Sequence, residues 1–363
     1  MPMGRVLVVG GGIAGIATAI NLARSGVAVT LVEREAHLGG NALTVCCKAI
    51  DGVCQLCGGC LLRDRIAEVQ SLANVQIKTG VSVDRVSRPA TAGDAPSLHV
   101  RLTDGSELSA SAVVLATGFD HVDARSKGPY GLGILPAVTT GEEMERRLSQ
   151  EGQWAYDADA PKRVAFVQCV GSRDERAGRG YCSQVCCRYA LRLARLLKAR
   201  IPGVEITIHK MDLQTSGRDI CPTWKAARQE GLRVIAGLPA VIRRPIDDPT
   251  AATFFYDDIL GATMTEATYD LVVLSTGIQP RADAALWAET FGLDRDAYGF
   301  YATLSDGSST LAPGVFAVGC CAAPRSIAES VAHAGVAAEA CLAWLRTNAP
   351  APQIEPVLQE SES

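Results

Sequence analysis

Hydrophobic and polar residues along this chain fall into two repeating units. Residues 5–9, "RVLVV", form a short continuous apolar run, as in a strand covered on both faces. From Ile13 to Ser25 the apolar positions recur at helical spacing, and Gly26 stops the pattern. "VAVTLVE" then gives a second buried strand ending in Glu33. Residues 94–114 read as a hairpin turning at Asp104-Gly105, and 109–120, "SASAVVLATGFD", as a strand leading into Ala116-Thr117-Gly118. The plan then recurs. Residues 162–169 predict a strand and 183–200 an amphipathic helix with Val185, Tyr189, Leu193, Leu196 and Leu197 on one face. Strands at 204–211 and 269–281 follow, the last carrying Ser275-Thr276-Gly277 as an echo of the earlier segment. Strands alternating with helices in this way predict an α/β fold with parallel sheets.

Within the first unit, Gly10, Gly12 and Gly15 give G-x-G-x-x-G between strand and helix, and Glu33 follows 18 residues after Gly15. The first glycine permits the tight turn, the second lets backbone approach a pyrophosphate, and the third lets helix pack on strand. Free N–H groups at the helix start face the phosphates, and an acid at the second strand end suits ribose hydroxyls. This predicts a bound dinucleotide. The corresponding turn of the second unit has no such glycines.

That second turn is "CVGSRDERAGRGYCSQVCC", residues 169–187, with cysteines spaced C-x12-C-x3-C-C. Cys169 ends a strand, Cys182 lies in a Gly- and Arg-rich loop, and Cys186 and Cys187 open a helix. Four thiolates on one turn suit an iron–sulfur cluster, with Arg173, Arg176, Arg179 and the helix N-terminus offsetting its charge. Zinc competes, although its structural sites use paired C-x2-4-C knuckles. Thiol redox chemistry is the third reading. A further stretch, "CCKAIDGVCQLCGGC" at 46–60, holds Cys46, Cys47, Cys54, Cys57 and Cys60, either as a second cluster site or as thiols near the cofactor. Of the other cysteines, Cys320 and Cys321 are expected to line the cofactor site, Cys341 to pack in the last helix, and Cys221 to be a surface thiol or a small buried residue. Among the five histidines only His333 has a plausible cofactor-side position, and helix packing explains it as well.

Composition adds limits. The 363 residues carry a formal net charge of −4, with 48% hydrophobic and 20% charged residues. That describes a globular chain of about two domains without the basic face of a nucleic-acid binder. No apolar run reaches the roughly 18 residues needed to span a bilayer. The expected compartment is the cytoplasm, where clustered cysteines favour metal or redox roles over structural disulfides.

"LGGNA" (38–42), the Ala116-Thr117-Gly118 segment and "LAPGVFAVGC" (311–320) resemble the two-dinucleotide-binding flavoproteins that include thioredoxin reductase. The resemblance implies FAD held by Gly10, Gly12, Ile13, Ala14, Gly15, Glu33, Arg34, Gly40, Asn41, Val83, Ala116, Thr117, Gly118, Gly319, Cys320, Ser326 and Ile327. Cys320 stands where the family's usual acid would be. It also implies an FAD domain in two parts, 1–160 and 282–350, an inserted nicotinamide-domain-like unit at 161–281, and an acidic, flexible tail at 351–363.

"CVGSRD…YCSQVCC" and "GCCAAPRSIAESVAHAG" (319–335) are more specific still, and resemble the A subunit of heterodisulfide reductase. Carried over by position, Cys169, Cys182, Cys186 and Cys187 match ligands of a 4Fe–4S cluster. The short form resembles the heterodisulfide-reductase-like complex of sulfur oxidisers. This implies cysteine-rich and iron–sulfur partner subunits, a lipoate-carrying protein, and a homodimer. In the family a lysine lies five residues after the second Cys of the pair; here that position is Arg192, which implies a permanent cation by the flavin and ordinary one-electron chemistry rather than bifurcation. A stand-alone pyridine-nucleotide disulfide reductase and the A subunit of a quinone-interacting oxidoreductase are the alternatives.

Overall fold

The computed structural model describes residues 4–88, 97–150, 160–214 and 220–348, so the tail expected at 351–363 lies outside the described residues. The helices are α1 (Ile13–Arg24), α2 (Gly59–Ser71), α3 (Gly141–Gln150), α4 (Cys186–Arg200), α5 (Ile220–Gln229), α6 (Ala284–Phe291) and α7 (Ile327–Asn348).

The first unit is a five-stranded parallel sheet. Its spatial order is Val315–Ala317, Ala112–Leu115, Arg5–Val9, Ala28–Glu33 and Val75–Thr79. The run "RVLVV" pairs on both sides, Val8 with Leu31 and with Val114, which is why it carries no polar face. Apolar side chains of α1 and α7 cover one side of this sheet, Ile16 and Ile20 packing with Ala334 and Leu342. A three-stranded antiparallel sheet, Val83–Ser87, Leu98–Leu102 and Glu107–Ala110, covers the other. Leu98, Val100 and Leu102 alternate inward there while His99 and Arg101 face out. The hairpin turn at Asp104-Gly105 is as expected; residues 94–96 of that segment lie outside the described residues, and Ala112–Leu115 leaves the hairpin for the parallel sheet.

The second unit repeats the plan. Arg233–Ala236, Glu205–Lys210, Arg163–Val170, Leu271–Thr276 and Val138–Thr140 form a parallel sheet. Residues of α3, α4 and α5 bury one face. The antiparallel strands Ile242–Arg243, Ala252–Asp258 and Thr263–Tyr269 bury the other. Its edge strand and α3 come from chain before residue 161, so this sheet starts earlier than the expected boundary. A three-residue strand carries too little pattern to be read alone; pairing with Val272–Leu274 makes it a strand. The two crossings between units pair with each other, His121 opposite Ile278 and Asp120 opposite Gln279.

Candidate functional site

A cavity of about 680 Å³ runs from the glycine turn of the first unit to α4 of the second. That is the size range of a cofactor pocket. Of the residues expected to hold FAD, Gly10, Gly12, Ile13, Ala14, Glu33, Arg34, Gly40, Asn41 and Val83 line it, as do Ala116, Thr117, Gly118, Cys320, Ser326 and Ile327. Gly15 and Gly319 stand behind the wall. A methyl on Gly15 would run into the Gly10 carbonyl oxygen, whereas one on Gly12 would meet no protein atom within 4 Å. Gly15 therefore sets the packing, and Gly12 leaves room for a ligand.

The charge pattern of this end suits a pyrophosphate. The N-termini of α1 and α7 both open into the cavity, at Gly12–Ile13 and at Ser326–Ile327, and each presents free N–H groups and a positive dipole end. A capping box closes α7: the Ser326 amide donates to Glu329 Oε2 at 2.8 Å, and the Glu329 amide donates to Ser326 Oγ at 3.3 Å. Arg325 also lines the cavity, fixed by Nη1 donating to Gly319 O at 2.9 Å and Ala323 O at 3.2 Å. It supplies the positive charge beside Cys320, and no pattern in the sequence singles it out. Glu33 is partly committed elsewhere. Its oxygens accept the Gly11 amide at 2.6 Å and the Glu35 amide at 2.9 Å, so it braces the glycine turn as well as facing the cavity. His333 is not part of the lining; Nδ1 accepts the Gly319 amide at 3.0 Å and Nε2 meets Gly307 O at 2.8 Å, which locks the turn after Val315–Ala317. Cys321 and Cys341 are buried packing residues, and Cys221 is exposed.

At the far end the wall is α4. Val185, Arg188, Tyr189 and Arg192 face the cavity from the helix that Cys186 and Cys187 begin. Cys57 lines it from the other cysteine-rich stretch, whose Cys47, Cys54 and Cys60 are exposed and Cys46 buried. The turn before α4 closes on itself, the Arg173 amide donating to Tyr181 O at 2.9 Å and the Asp174 amide to Arg179 O at 2.8 Å. It leaves no glycine cradle for a second dinucleotide. Cys169, Cys182, Cys186 and Cys187 come close enough to feel one another electrostatically. Burial first, then the neighbouring sulfurs Cys187 and Cys182, push the Cys169 thiol up to about 11, against the opposing pull of Arg173. Burial, followed by Cys169, Cys187 and Cys182, pushes Cys186 up as well.

As thiols the four do not close into a cage. Among the described residues, no three His, Cys, Asp or Glu side chains converge to hold a metal ion. Neutral thiols follow burial instead: Cys186 Sγ points to Thr276 O at 3.5 Å, while Cys187 packs among Phe166, Leu191 and Cys46. The donor chemistry still fits a soft, thiolate-bound group, with four sulfurs on one turn and the Arg173 guanidinium against Cys169.

The profile of the FAD dependent oxidoreductase family matches residues 5–156. The chain is 36% identical over 269 residues to the A subunit of the H(2):CoB-CoM heterodisulfide,ferredoxin reductase of Methanothermobacter marburgensis, covering 71% of this chain and 40% of that one. It is 28% identical over 431 aligned positions to the A subunit of the ferredoxin:CoB-CoM heterodisulfide reductase of Methanosarcina mazei, covering 94% and 53%. It thus spans about half, or less, of these relatives. Among solved structures, thioredoxin reductase from Lactococcus lactis superposes with a TM-score of 0.61 at 19% identity, over 95% of this chain and 99% of that one. Thioredoxin reductase from T. acidophilum gives 0.61 at 17% identity, over 94% and 98%. The fold is therefore that of the two-dinucleotide-binding flavoproteins.

Proposed function

The chain is a homologue of heterodisulfide reductase A subunits and an oxidoreductase-type flavoprotein, and from that premise we propose an FAD- and 4Fe–4S-containing electron-transfer subunit of a heterodisulfide-reductase-like complex. The observation that carries this reading is the shared helix. One end of α4 begins with Cys186 and Cys187, and its side lines the cavity that the α1 N-terminus opens. A cluster at Cys169, Cys182, Cys186 and Cys187 and a flavin in the cavity would therefore share α4 as a common wall. FAD supplies the two-electron/one-electron conversion. Among this chain's residues, Gly10, Gly12 and the α1 and α7 N-termini would hold the pyrophosphate and Glu33 the ribose, with Asn41, Thr117 and Cys320 in the wall between. Arg192 faces the cavity as an always-protonated cation, which favours ordinary one-electron steps over bifurcation.

The setting we propose is cytoplasmic sulfur oxidation, with cysteine-rich and iron–sulfur partner subunits, a lipoate-carrying protein as the sulfur carrier, and a homodimer as the working form. Among the described residues no helix is long and apolar enough to cross a membrane. The self-closed turn at 171–182 argues against a stand-alone pyridine-nucleotide reductase.

Anaerobic purification tests the core of the reading. Expected are one FAD and about four irons per chain, with Cys186→Ala losing the iron while keeping FAD. Stoichiometric zinc without iron overturns the cluster, and iron near eight assigns a second cluster to residues 46–60. NADH and NADPH should reduce the flavin far more slowly than the tens per second of efficient turnover; fast reduction returns the reductase reading.

A further inference from the structure

Residues 46–56 follow the glycine turn of the FAD unit along the chain, yet they pack into the other unit. Cys46, 3% exposed, belongs to the apolar cluster of Phe166, Cys187 and Val273, with Ile50 against it. Gln55 accepts from Arg195 Nη1 of α4 at 3.1 Å and donates to Lys48 O at 2.6 Å. At the centre is an ion pair. Lys48 Nζ lies 2.6 Å from Glu145 Oε1 and 2.7 Å from Oε2, and the two side chains are only 2% and 9% exposed. Glu145 Oε2 also accepts the Cys46 amide at 2.9 Å, and Lys48 Nζ donates to Cys46 O at 3.3 Å. Glu145 belongs to α3 of the second unit. Both residues line the cofactor cavity, and neither is among those proposed to hold FAD or the cluster.

A buried pair of this kind is poor evidence for stability, because the loss of hydration offsets most of the attraction and an apolar pair of similar size holds as well. What it adds is register. An ammonium held by two oxygens of one carboxylate, and by the backbone of its own loop, tolerates no sliding between the elements that carry them. Apolar contacts between the same elements would. We infer that Lys48–Glu145 is an interdomain latch, a positioning pair that fixes the second unit, and with it α4, against the FAD cavity. The latch goes beyond the electron-transfer reading and stands whatever the cysteines bind, since it rests on packing between the two units.

Hydrogen–deuterium exchange on the purified, FAD-loaded protein tests it. Lys48→Met keeps the apolar stem and leaves the Cys46 amide its acceptor. The latch predicts exchange faster by about tenfold or more across 46–56, α3 and the cavity-facing start of α4, with the Arg5–Val9 sheet unchanged. Lys48→Met/Glu145→Gln removes both charges and keeps an oxygen for the Cys46 amide, so its melting temperature should return to within about 3 °C of the wild type while the exchange stays fast. That separation of stability from register is the signature. Wild-type exchange in the double variant overturns the latch, as does acceleration confined to the Cys46 amide in Lys48→Met. If the single variant does not fold, the double variant decides alone.

Discussion

His333 holds the last turn of the flavin cradle, and its removal can be followed in numbers. The ring accepts the Gly319 amide on Nδ1, so the proton sits on Nε2 and donates to Gly307 O, at 3.0 and 2.8 Å. The residue is 8% exposed. His333→Leu leaves a buried amide and a carbonyl without partners. Each unsatisfied buried group costs about 1–3 kcal/mol, so the pair costs about 2–4 kcal/mol once the partly exposed Gly307 end is placed at the low limit. At about 2–4 °C per kcal/mol for a unit of this size, the melting temperature should fall by roughly 4–16 °C. Gly319 also loses its tether, so FAD should dissociate before the protein unfolds. Differential scanning with flavin fluorescence reads both events. The pH dependence gives a second check. Burial, then the charge of Arg325, lowers the affinity of His333 for a proton in the folded state. The unfolded chain therefore takes up the proton first, and the stability His333 contributes is present above its ordinary value near 6.5 and declines as pH falls. The gap between wild type and His333→Leu should be widest above pH 7 and shrink in acid. A melting temperature lowered by less than about 2 °C with FAD retained, or a gap constant from pH 5 to 8, refutes the reasoning.

Other expectations follow from the same geometry. His209 is fully buried between Gly237 O at 3.2 Å and the Tyr269 hydroxyl at 2.9 Å, and burial pushes it down to about 4. Between pH 6.5 and 4 that depression should cost the second unit about 3 kcal/mol, and denaturant titrations of His209→Phe should show a flatter pH profile. Gly15→Ala drives a methyl into the Gly10 carbonyl and should lower stability by about 1–3 kcal/mol along with FAD loss. Gly12→Ala opens only into the cavity, so its apo melting temperature should match wild type while FAD fails to bind. Arg325→Ala removes one of the cavity's cations, the one beside Cys320, with its bonds to Gly319 and Ala323, and FAD affinity measured by fluorescence quenching should weaken about tenfold or more.

Most of the cradle was legible because its chemistry is local. The turn that Gly10 and Gly15 require and the apolar period of α1 are written within thirty residues, and fifteen of the seventeen residues expected at FAD line the cavity. What escaped reading is what depends on distance. Lys48 and Glu145 are 97 residues apart, and each alone looks like an ordinary surface charge. Arg325 is an isolated charge in the sequence, and only the fold brings it into the cavity wall against Gly319 O. Val138–Thr140 has no pattern of its own and becomes a strand only beside Leu271–Thr276. In each case the information lies in the partner.

The backbone adds a link that composition could not. Among the described residues six non-glycine positions have left-handed φ, and five of them fall in the two cysteine-bearing stretches: Asp51 and Leu56 in one, Cys169, Arg173 and Gln184 in the other. Each such residue costs of order 1–3 kcal/mol and persists only where its surroundings fix it. Apart from Cys169, no described non-glycine residue of the two parallel sheets is left-handed, so the strain is not a general looseness of the fold. It sits where sulfur-bearing residues leave regular structure and turn toward the cavity or α4. At Cys169 the left-handed kink also breaks the register of Arg163–Val170 with Leu271–Thr276, which shifts between Val167 and Val170. The chain therefore gives up sheet pairing at the first cysteine of the turn. Bulges of this kind re-aim a side chain, and under the proposed cluster reading this one would turn the first cysteine of the loop toward the start of α4.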